Sequence, residues 1–198
     1  MKKFVIGALV GAIIIFIWQF VSFAALNLHK PAQQYTEKQD AIMSFLNSQG
    51  LKEGGYILPP LPEGSSMEEH NNAMKAAEGK PWAVIQYHST LEDKMVMNMI
   101  RGFLVDFAVV LLFCWLVGKM AAPTMKTIVT SALVVGLITF LFQPYTGNIW
   151  YEYFDIWIYL LDAIVCWGLT GLWLGWWLRR GRPEMSKVRI GKHSREVA

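Results

Sequence analysis

Four long apolar runs dominate the hydrophobic pattern of this 198-residue chain. The first covers about 23 residues, from Phe4 to Leu26, which is long enough for a helix to cross a hydrocarbon core of about 30 Å. The other three follow a polar segment and are separated from one another by short turns. The pattern predicts transmembrane helices over residues 1–27, 101–118, 126–143 and 155–178.

The polar segment, residues 28–99, alternates short helical and strand patterns. Its two helices follow capping-box patterns, and its strand candidates are aromatic and β-branched runs next to proline or glycine. The predicted elements are a helix over Ala41–Asn47 behind Thr36-x-x-Gln39, a strand at Tyr56–Leu58, a helix from Ser66-x-x-Glu69 to Gly79, and a strand at Trp82–His88. So small an α+β insert has a marginal core, and we expect it to pack on the membrane face or on a partner.

Composition and charge place the chain in the membrane class and give it a topology. Hydrophobic residues make up 54% of the sequence and aromatic residues 14%. Lysine and arginine flank the N-terminus, the turn between Lys119 and Lys126, and the tail 181–198, and such flanks are typically cytoplasmic. We therefore predict a multi-pass protein of the bacterial inner (plasma) membrane, with both termini in the cytoplasm, an extracytoplasmic insert and a basic cytoplasmic tail.

The first apolar run has a second interpretation. Lys2 and Lys3 precede it, and Ser22-Phe23-Ala24 resembles the cleavage site of a signal peptide. The apolar region of a signal peptide is normally only about 7 to 15 residues long, so a retained anchor is favoured and cleavage is the alternative.

Polar side chains gather near the outer ends of all four spans. An acid within the bilayer costs about 2.5 to 3.5 kcal/mol at its centre, so Asp106 and Asp162 must face protein or water. The predicted polar intramembrane cluster contains Gln19, Ser22, Arg101, Asp106, Gln143, Asp155 and Asp162. Two interpretations remain open: a proton-sharing pair or cation site formed by the two acids, or separate hydrogen bonds that fix helix register.

Small residues predict where the helices approach one another closely. The predicted packing positions, which include GxxxG pairs, are Gly7, Gly11, Ala132, Gly136, Gly168, Gly171 and Gly175. In the last span the glycines lie roughly opposite a stripe that contains Asp155 and Asp162. We expect the acid stripe to face the bundle interior. The glycine stripe should pack on the first span or, failing that, on a second copy or a partner.

The histidines and methionines give little support for a metal or haem site. All four histidines, His29, His70, His88 and His193, lie outside the span interiors, which argues against a haem held between spans. Three methionines, Met95, Met97 and Met99, could bind Cu(I) near His88. On a helix, however, Met97 points away from its neighbours, so apolar packing is favoured.

The remaining motifs indicate no catalysis. Cys114 and Cys166 are interpreted as small apolar packing residues, with a disulfide as the alternative. No nucleophile elbow, phosphate-binding loop, metalloprotease helix or dinucleotide fingerprint is present. We predict no catalytic residue, no cofactor, no metal and no nucleic-acid partner.

Several short motifs resemble a known class of protein. They are Trp18 and Ser22 near the end of the first span, the Tyr56–Pro59 run, and the spaced residues Gly79, Pro81, Ala83, Ile85 and Tyr87. The chain is similar in these motifs to small uncharacterised bacterial four-span inner-membrane proteins with an exported insert after the first span. The resemblance implies this architecture and no activity.

Together these observations predict an all-α membrane fold, a four-helix bundle with a small extracytoplasmic α+β insert between helices 1 and 2. We expect a non-enzymatic accessory or scaffold subunit that contacts the bilayer and forms a homo-oligomer or joins a larger membrane complex. The alternative is a small transporter or proton-linked membrane enzyme that uses Asp106 and Asp162.

Overall fold

The computed structural model describes residues 1–59 and 63–180. Its described part contains four helices that are long and apolar enough to cross a membrane, as the hydropathy pattern predicts. They are compatible with a multi-pass membrane protein. The predicted basic tail, 181–198, lies outside the described residues.

The first long helix, α1, covers Lys2–Phe20 and continues as a π turn to Ala25. The following elements are α2 (Gln39–Ser48), β1 (Gly54–Leu58), α3 (Met67–Ala77), β2 (Ala83–Tyr87), α4 (Met95–Lys119), α5 (Met125–Phe140), α6 (Thr146–Trp150) and α7 (Ile156–Trp177). The four long helices alternate in direction. We call the end where α1 stops and α4 starts the insert end.

The third long helix continues further than the sequence predicts. Gln143 and Pro144 are expected to end it, but the chain passes through a π turn, Leu141–Tyr145, directly into α6. Proline lacks an N–H and its ring needs room in the preceding turn, and the wider π turn accommodates both requirements. The Thr146 hydroxyl donates to the Leu141 carbonyl at 2.8 Å. The connection to α7, residues 151–155, is therefore shorter than the gap between the predicted spans, residues 144–154.

The long helices neighbour one another in the order α4, α1, α7, α5. Phe113 of α4 also meets Trp167 of α7 edge to face, with ring centroids 5.5 Å apart. The apolar core contains Ala8, Ile15, Val110, Phe113, Cys114, Val117, Ile128, Ala132, Cys166, Trp167, Leu174 and Leu178. Both cysteines are free and buried there, as the packing interpretation predicts.

The glycine stripe of α7 packs against α5. A Cβ added at Gly171 would lie 2.8 Å from the Cβ of Ala132, and one at Gly175 would collide with the Met125 sulfur. Gly168 is less crowded, because its Cβ would meet Leu133 at an ordinary 3.6 Å. The expectation that the first span or a partner covers this stripe is therefore wrong, since the third long helix covers it.

Gly136 of α5 lies on the other side of the same contact. A Cβ there would come within 2.9 Å of the Ala163 carbonyl oxygen and 2.8 Å of the Trp167 ring. Because one of these neighbours is backbone, it cannot move aside as a side chain can.

The glycines of α1 pack against α7 and α4. A Cβ at Gly11 would lie 2.8 Å from Val110 and 3.2 Å from Thr170, and one at Gly7 would lie 3.1 Å from Leu174. Thr170 and Leu174 continue the α7 surface that carries the acids. The acid stripe thus faces the interior of the bundle, as predicted, and α1 is the helix that meets it.

Two indoles fasten α7 to α1 at the end away from the insert. Trp177 Nε1 donates to the Lys3 carbonyl at 2.8 Å, and Trp173 Nε1 donates to the Gly7 carbonyl at 3.0 Å. These two tryptophans therefore bind the first and last long helices together.

The two strands of the insert form an antiparallel sheet. Tyr56 pairs with Ile85 and Ile57 pairs with Val84. The predicted capping box opens α3, because the Ser66 amide donates to Glu69 Oε2 at 2.7 Å and the Glu69 amide donates to Ser66 Oγ at 3.2 Å.

The capping box predicted at the start of α2 is absent. The helix begins at Gln39, and its N-cap residue, Lys38, makes no side-chain cap. Thr36 Oγ1 instead accepts from the Lys38 amide at 3.2 Å. The hydroxyl therefore stabilises the turn that precedes the helix.

Candidate functional site

A buried histidine lies at the insert end of the bundle, where α1 meets the start of α7. Just after the π turn of α1, Asn27 takes a left-handed conformation with φ of 48°, and the Leu28 amide donates to the Ser22 carbonyl at 2.9 Å. This turn reverses the chain and places His29 between the two helices. His29 is 0% exposed, and its ring stacks on Phe23 with centroids 3.8 Å apart.

Both ring nitrogens of His29 contact carboxylates of α7 and its N-cap. Nδ1 lies 2.7 Å from Asp155 Oδ2, and Nε2 lies 3.0 Å from Asp162 Oδ2. An ionised carboxylate only accepts hydrogen bonds, so the imidazole must donate from both nitrogens, or one carboxyl must carry the proton and donate it. In either arrangement the three groups share two protons and one net negative charge.

The second oxygen of Asp162 is also fully used. Oδ1 accepts from Trp18 Nε1 at 2.9 Å and from Ser22 Oγ at 2.8 Å. We call His29, Asp155, Asp162, Trp18 and Ser22 the acid–histidine cluster. It joins α1 to α7 through four hydrogen bonds to carboxylates, which are stronger than those between neutral groups.

Asp106 of α4 does not share these partners. Its Oδ1 accepts from Gln19 Nε2 at 3.2 Å, whereas Oδ2 is buried without a hydrogen-bond partner among the described residues. The Thr170 hydroxyl oxygen is likewise buried without a hydrogen-bond partner among the described residues. Asp106 and Asp162 are thus bound by neighbouring residues at the end of the first long helix, and no hydrogen bond joins one acid to the other within the described part of the chain.

The other two predicted members of the polar cluster lie elsewhere. Arg101 is exposed on α4, and Gln143 is exposed in the π turn that follows α5. His29, which contacts both Asp155 and Asp162, was not predicted as a member. The sequence feature that could have indicated a histidine here is the pair Asp155 and Asp162, which lie on one helix face that must be buried and have no basic residue on that helix face.

A small pocket reaches the cluster from the insert side. Its volume is about 220 Å³, and its lining includes Asp155 and Tyr159 together with Ala32 and Tyr153. The Tyr159 ring in turn packs edge to face on His29, with centroids 5.0 Å apart. Asp155 and Tyr159, which both contact the imidazole, line this pocket, whereas His29 itself does not.

The methionine run lies at the start of α4. Met95, Met97 and Met99 are exposed on the first turns of α4. In the described part of the chain, no group of three or more His, Cys, Asp or Glu side chains could hold a metal ion.

A larger cleft separates the sheet of the insert from the connection between α6 and α7. Its volume is about 880 Å³, and a second cavity of about 600 Å³ shares Ile57, Trp82 and Tyr151 with it. We call the two cavities together the insert cleft. On the bundle side its lining residues are Trp150, Tyr151, Glu152, Tyr153 and Phe154.

Comparison of the chain with protein-family models, with curated proteins and with solved structures finds no match. The resemblance to small bacterial inner-membrane proteins therefore stays a prediction.

Proposed function

We propose that this protein is a non-enzymatic accessory or scaffold subunit of the bacterial inner membrane, which presents its insert on the extracytoplasmic side to another membrane component. The observation behind this proposal is the incomplete core of the insert. Between residues 35 and 94, Tyr87 is the one buried hydrophobic residue of the described chain. Phe45, Met67 and Trp82 are more than half exposed. So much uncovered apolar surface in so small a domain is typical of an interaction site.

The geometry of the acid–histidine cluster agrees with a structural role for the acids. Both oxygens of Asp162 accept or share hydrogen bonds with Trp18, Ser22 or His29. Because no oxygen is left for a substrate, this carboxylate is suited to fixing the register of the helices. The cluster then serves to anchor the base of the insert to α7.

Native purification tests the scaffold proposal. We expect the full chain, extracted in mild detergent, to run at a mass above that of the monomer. Phe45→Glu should abolish the larger species, because a charge would enter the apolar contact. Asn72→Glu, an exposed polar position on α3, is the matched control. Recovery of monomer alone from native membranes would contradict the proposal.

Labelling in intact cells tests the proposed topology. A cysteine placed at the exposed Ser48 of α2 should react with a membrane-impermeant maleimide before lysis if the insert is extracytoplasmic. Reaction only after lysis would show that the insert is cytoplasmic, which is the opposite of the proposed orientation.

The second candidate function is a small transporter or a proton-linked membrane enzyme. It is favoured by the pocket that reaches Asp155 and by the unpartnered oxygen of Asp106. The test is proton flux into proteoliposomes that contain a pH-sensitive dye. Asp106→Asn and Asp162→Asn should each abolish flux while leaving the protein folded and inserted, whereas a loss of insertion would support the structural role of the acids.

A further inference from the structure

The face of the sheet that lines the insert cleft carries two exposed apolar side chains, Ile57 and Val84, beside Gly55 and Gln86. Gly55 pairs with Gln86 and Ile57 pairs with Val84, so these four residues are two cross-strand pairs two positions apart and occupy one face. All four line the cleft. The opposite face carries Tyr56, Ile85 and Tyr87, and the Tyr87 hydroxyl donates to Asn47 of α2 at 2.6 Å. Tyr87 on that face is thus covered within the insert, whereas Ile57 and Val84 remain 42% and 45% exposed at the cleft.

The opposite wall of the cleft belongs to the ends of two long helices. Trp150 is the last residue of the third candidate span, and Tyr153 and Phe154 lie just before Ile156, which begins the fourth. Trp150 is 75% exposed and Phe154 is 78% exposed. With the spans in a bilayer, these rings lie at headgroup level, where amphipathic aromatic side chains concentrate. The cleft is thus continuous with the lipid-facing surface of the helices.

The charges of the cleft are divided between its two cavities. The 880 Å³ cavity has Glu152 as its one charged lining residue among those described. The 600 Å³ cavity has Lys75 and Lys80 against Glu78. Its lining therefore carries an excess of positive charge, which complements an anionic headgroup, while the larger cavity offers apolar walls for a chain.

We propose that the insert cleft binds a phospholipid of the outer leaflet, with an acyl chain against the apolar sheet face and the phosphate near Lys75 and Lys80. The inference rests on the proposed placement of the insert at the extracytoplasmic surface and goes beyond the scaffold role. The volume of each cavity lies in the range of about 300 to 1,000 Å³ that is typical of small-molecule sites.

A peptide fits this site less well than a lipid chain. An added strand needs the free N–H and C=O groups along the edge of a sheet. The cleft is lined by cross-strand pairs from both strands, which places the face of the sheet, not its edge, against the occupant. An acyl chain needs apolar contact and no hydrogen bonds, and the face provides this.

Photo-crosslinking of the purified full chain tests the inference. The protein is placed in nanodiscs of phosphatidylethanolamine and phosphatidylglycerol that contain a phosphatidylethanolamine with a diazirine on its acyl chain. Labelled peptides are then mapped by mass spectrometry. We expect label on β1, β2 and residues 150–154 as well as on the lipid-facing helix surfaces.

Matched pairs of variants separate bound lipid from the lipid that surrounds any membrane protein. Trp150→Ala removes one wall of the cleft, whereas Trp157→Ala removes an equally prominent tryptophan, 67% exposed, that does not line it. Ile57→Glu places a charge on the cleft face, and Ile42→Glu places one on α2 at a similarly exposed position. The two cleft variants should lower strand labelling about tenfold, which corresponds to about 1.4 kcal/mol, and the controls should leave it unchanged.

Two results would overturn the inference: label confined to the helix surfaces, or strand label that is equal in all four variants. Circular dichroism of each variant shows whether it is folded, and Trp150→Ala tests the cleft without altering the insert. Because the experiment uses purified protein, it can succeed even if no protein partner exists, and it can fail while a scaffold complex is still recovered from membranes.

Discussion

The imidazole Nε2 of His29 lies 3.0 Å from Asp162 Oδ2, although 133 positions separate the two residues in the chain. The contact joins the segment that leaves the first long helix to the second turn of the last one. His29 is fully buried there, and the Asp162 side chain is 17% exposed, so loss of the contact has a large expected cost.

Removal of the histidine should destabilise the bundle strongly. His29→Ala leaves two carboxyl groups facing each other without the group between them, and breaking a buried pair in this way costs about 3 kcal/mol or more. Thermal unfolding in detergent, followed by circular dichroism, measures the loss. His70→Ala, at an exposed position of α3, should have little effect, and equal effects of the two substitutions would contradict a role for the cluster in stability.

Substitution of glycine should be costly only where a second helix is close. Gly136→Ala puts a methyl group 2.9 Å from the Ala163 carbonyl oxygen, and we expect a loss of about 1 to 3 kcal/mol in the free energy of unfolding. Gly102→Ala on α4 meets nothing within 4 Å and should be neutral or stabilise by up to about 1 kcal/mol, because alanine favours a helix. Similar stability of both variants would refute the packing of α5 on α7.

The sheet of the insert should weaken at acid pH. The hydroxyl of Ser89 donates to Glu53 Oε1 at 2.7 Å and its amide donates to the same oxygen at 3.1 Å, and these two bonds lower the pKa of Glu53. A carboxyl with a lowered pKa stabilises the folded state above its unfolded pKa, about 4.3, and this stability disappears as the pH falls through the folded value.

Titration of the Glu53 carboxyl carbon by NMR in the full chain checks this prediction. Ser89→Ala should raise the midpoint because it removes the larger of the two effects, and Ser48→Ala should not. An unchanged midpoint in Ser89→Ala would show that the bond does not persist in solution.

The two cysteines should resist alkylation until the protein unfolds. Cys114 and Cys166 are free and lie in the apolar core, so maleimide should add to neither in mild detergent and to both in a denaturing one. Intact-protein mass spectrometry counts the additions, and a cysteine introduced at Ser48 provides the reactive control. Rapid modification of either native cysteine would contradict the helix packing described here.

The parts of the fold that could be predicted depend on local pattern. The four long helices follow from the length of their apolar runs, and the α3 cap follows from Ser66 and Glu69, three residues apart. Proline as a helix breaker is also a local rule, and it failed at Pro144 because a π turn removes the clash that the rule assumes.

The parts that could not be predicted depend on which helices are neighbours. The acid stripe and the glycine stripe of α7 are both visible in the sequence, but nothing in either stripe says that α1 takes the first and α5 the second. For the same reason His29 could be placed just beyond the first span, yet not between Asp155 and Asp162. Its role appears only when the turn at Asn27 brings it back over α7.

The position of α1 between α4 and α7 has a consequence for biosynthesis. The helix made first has α7, the helix made last, as one of its two neighbours, so Trp18 and Ser22 are translated long before Asp162. Assembly of the bundle must therefore wait for the end of the chain. If a peptidase cut behind Ala24, α4 and α7 would lose the helix that lies between them, and the carboxylate of Asp162 would lose both donors to one of its oxygens.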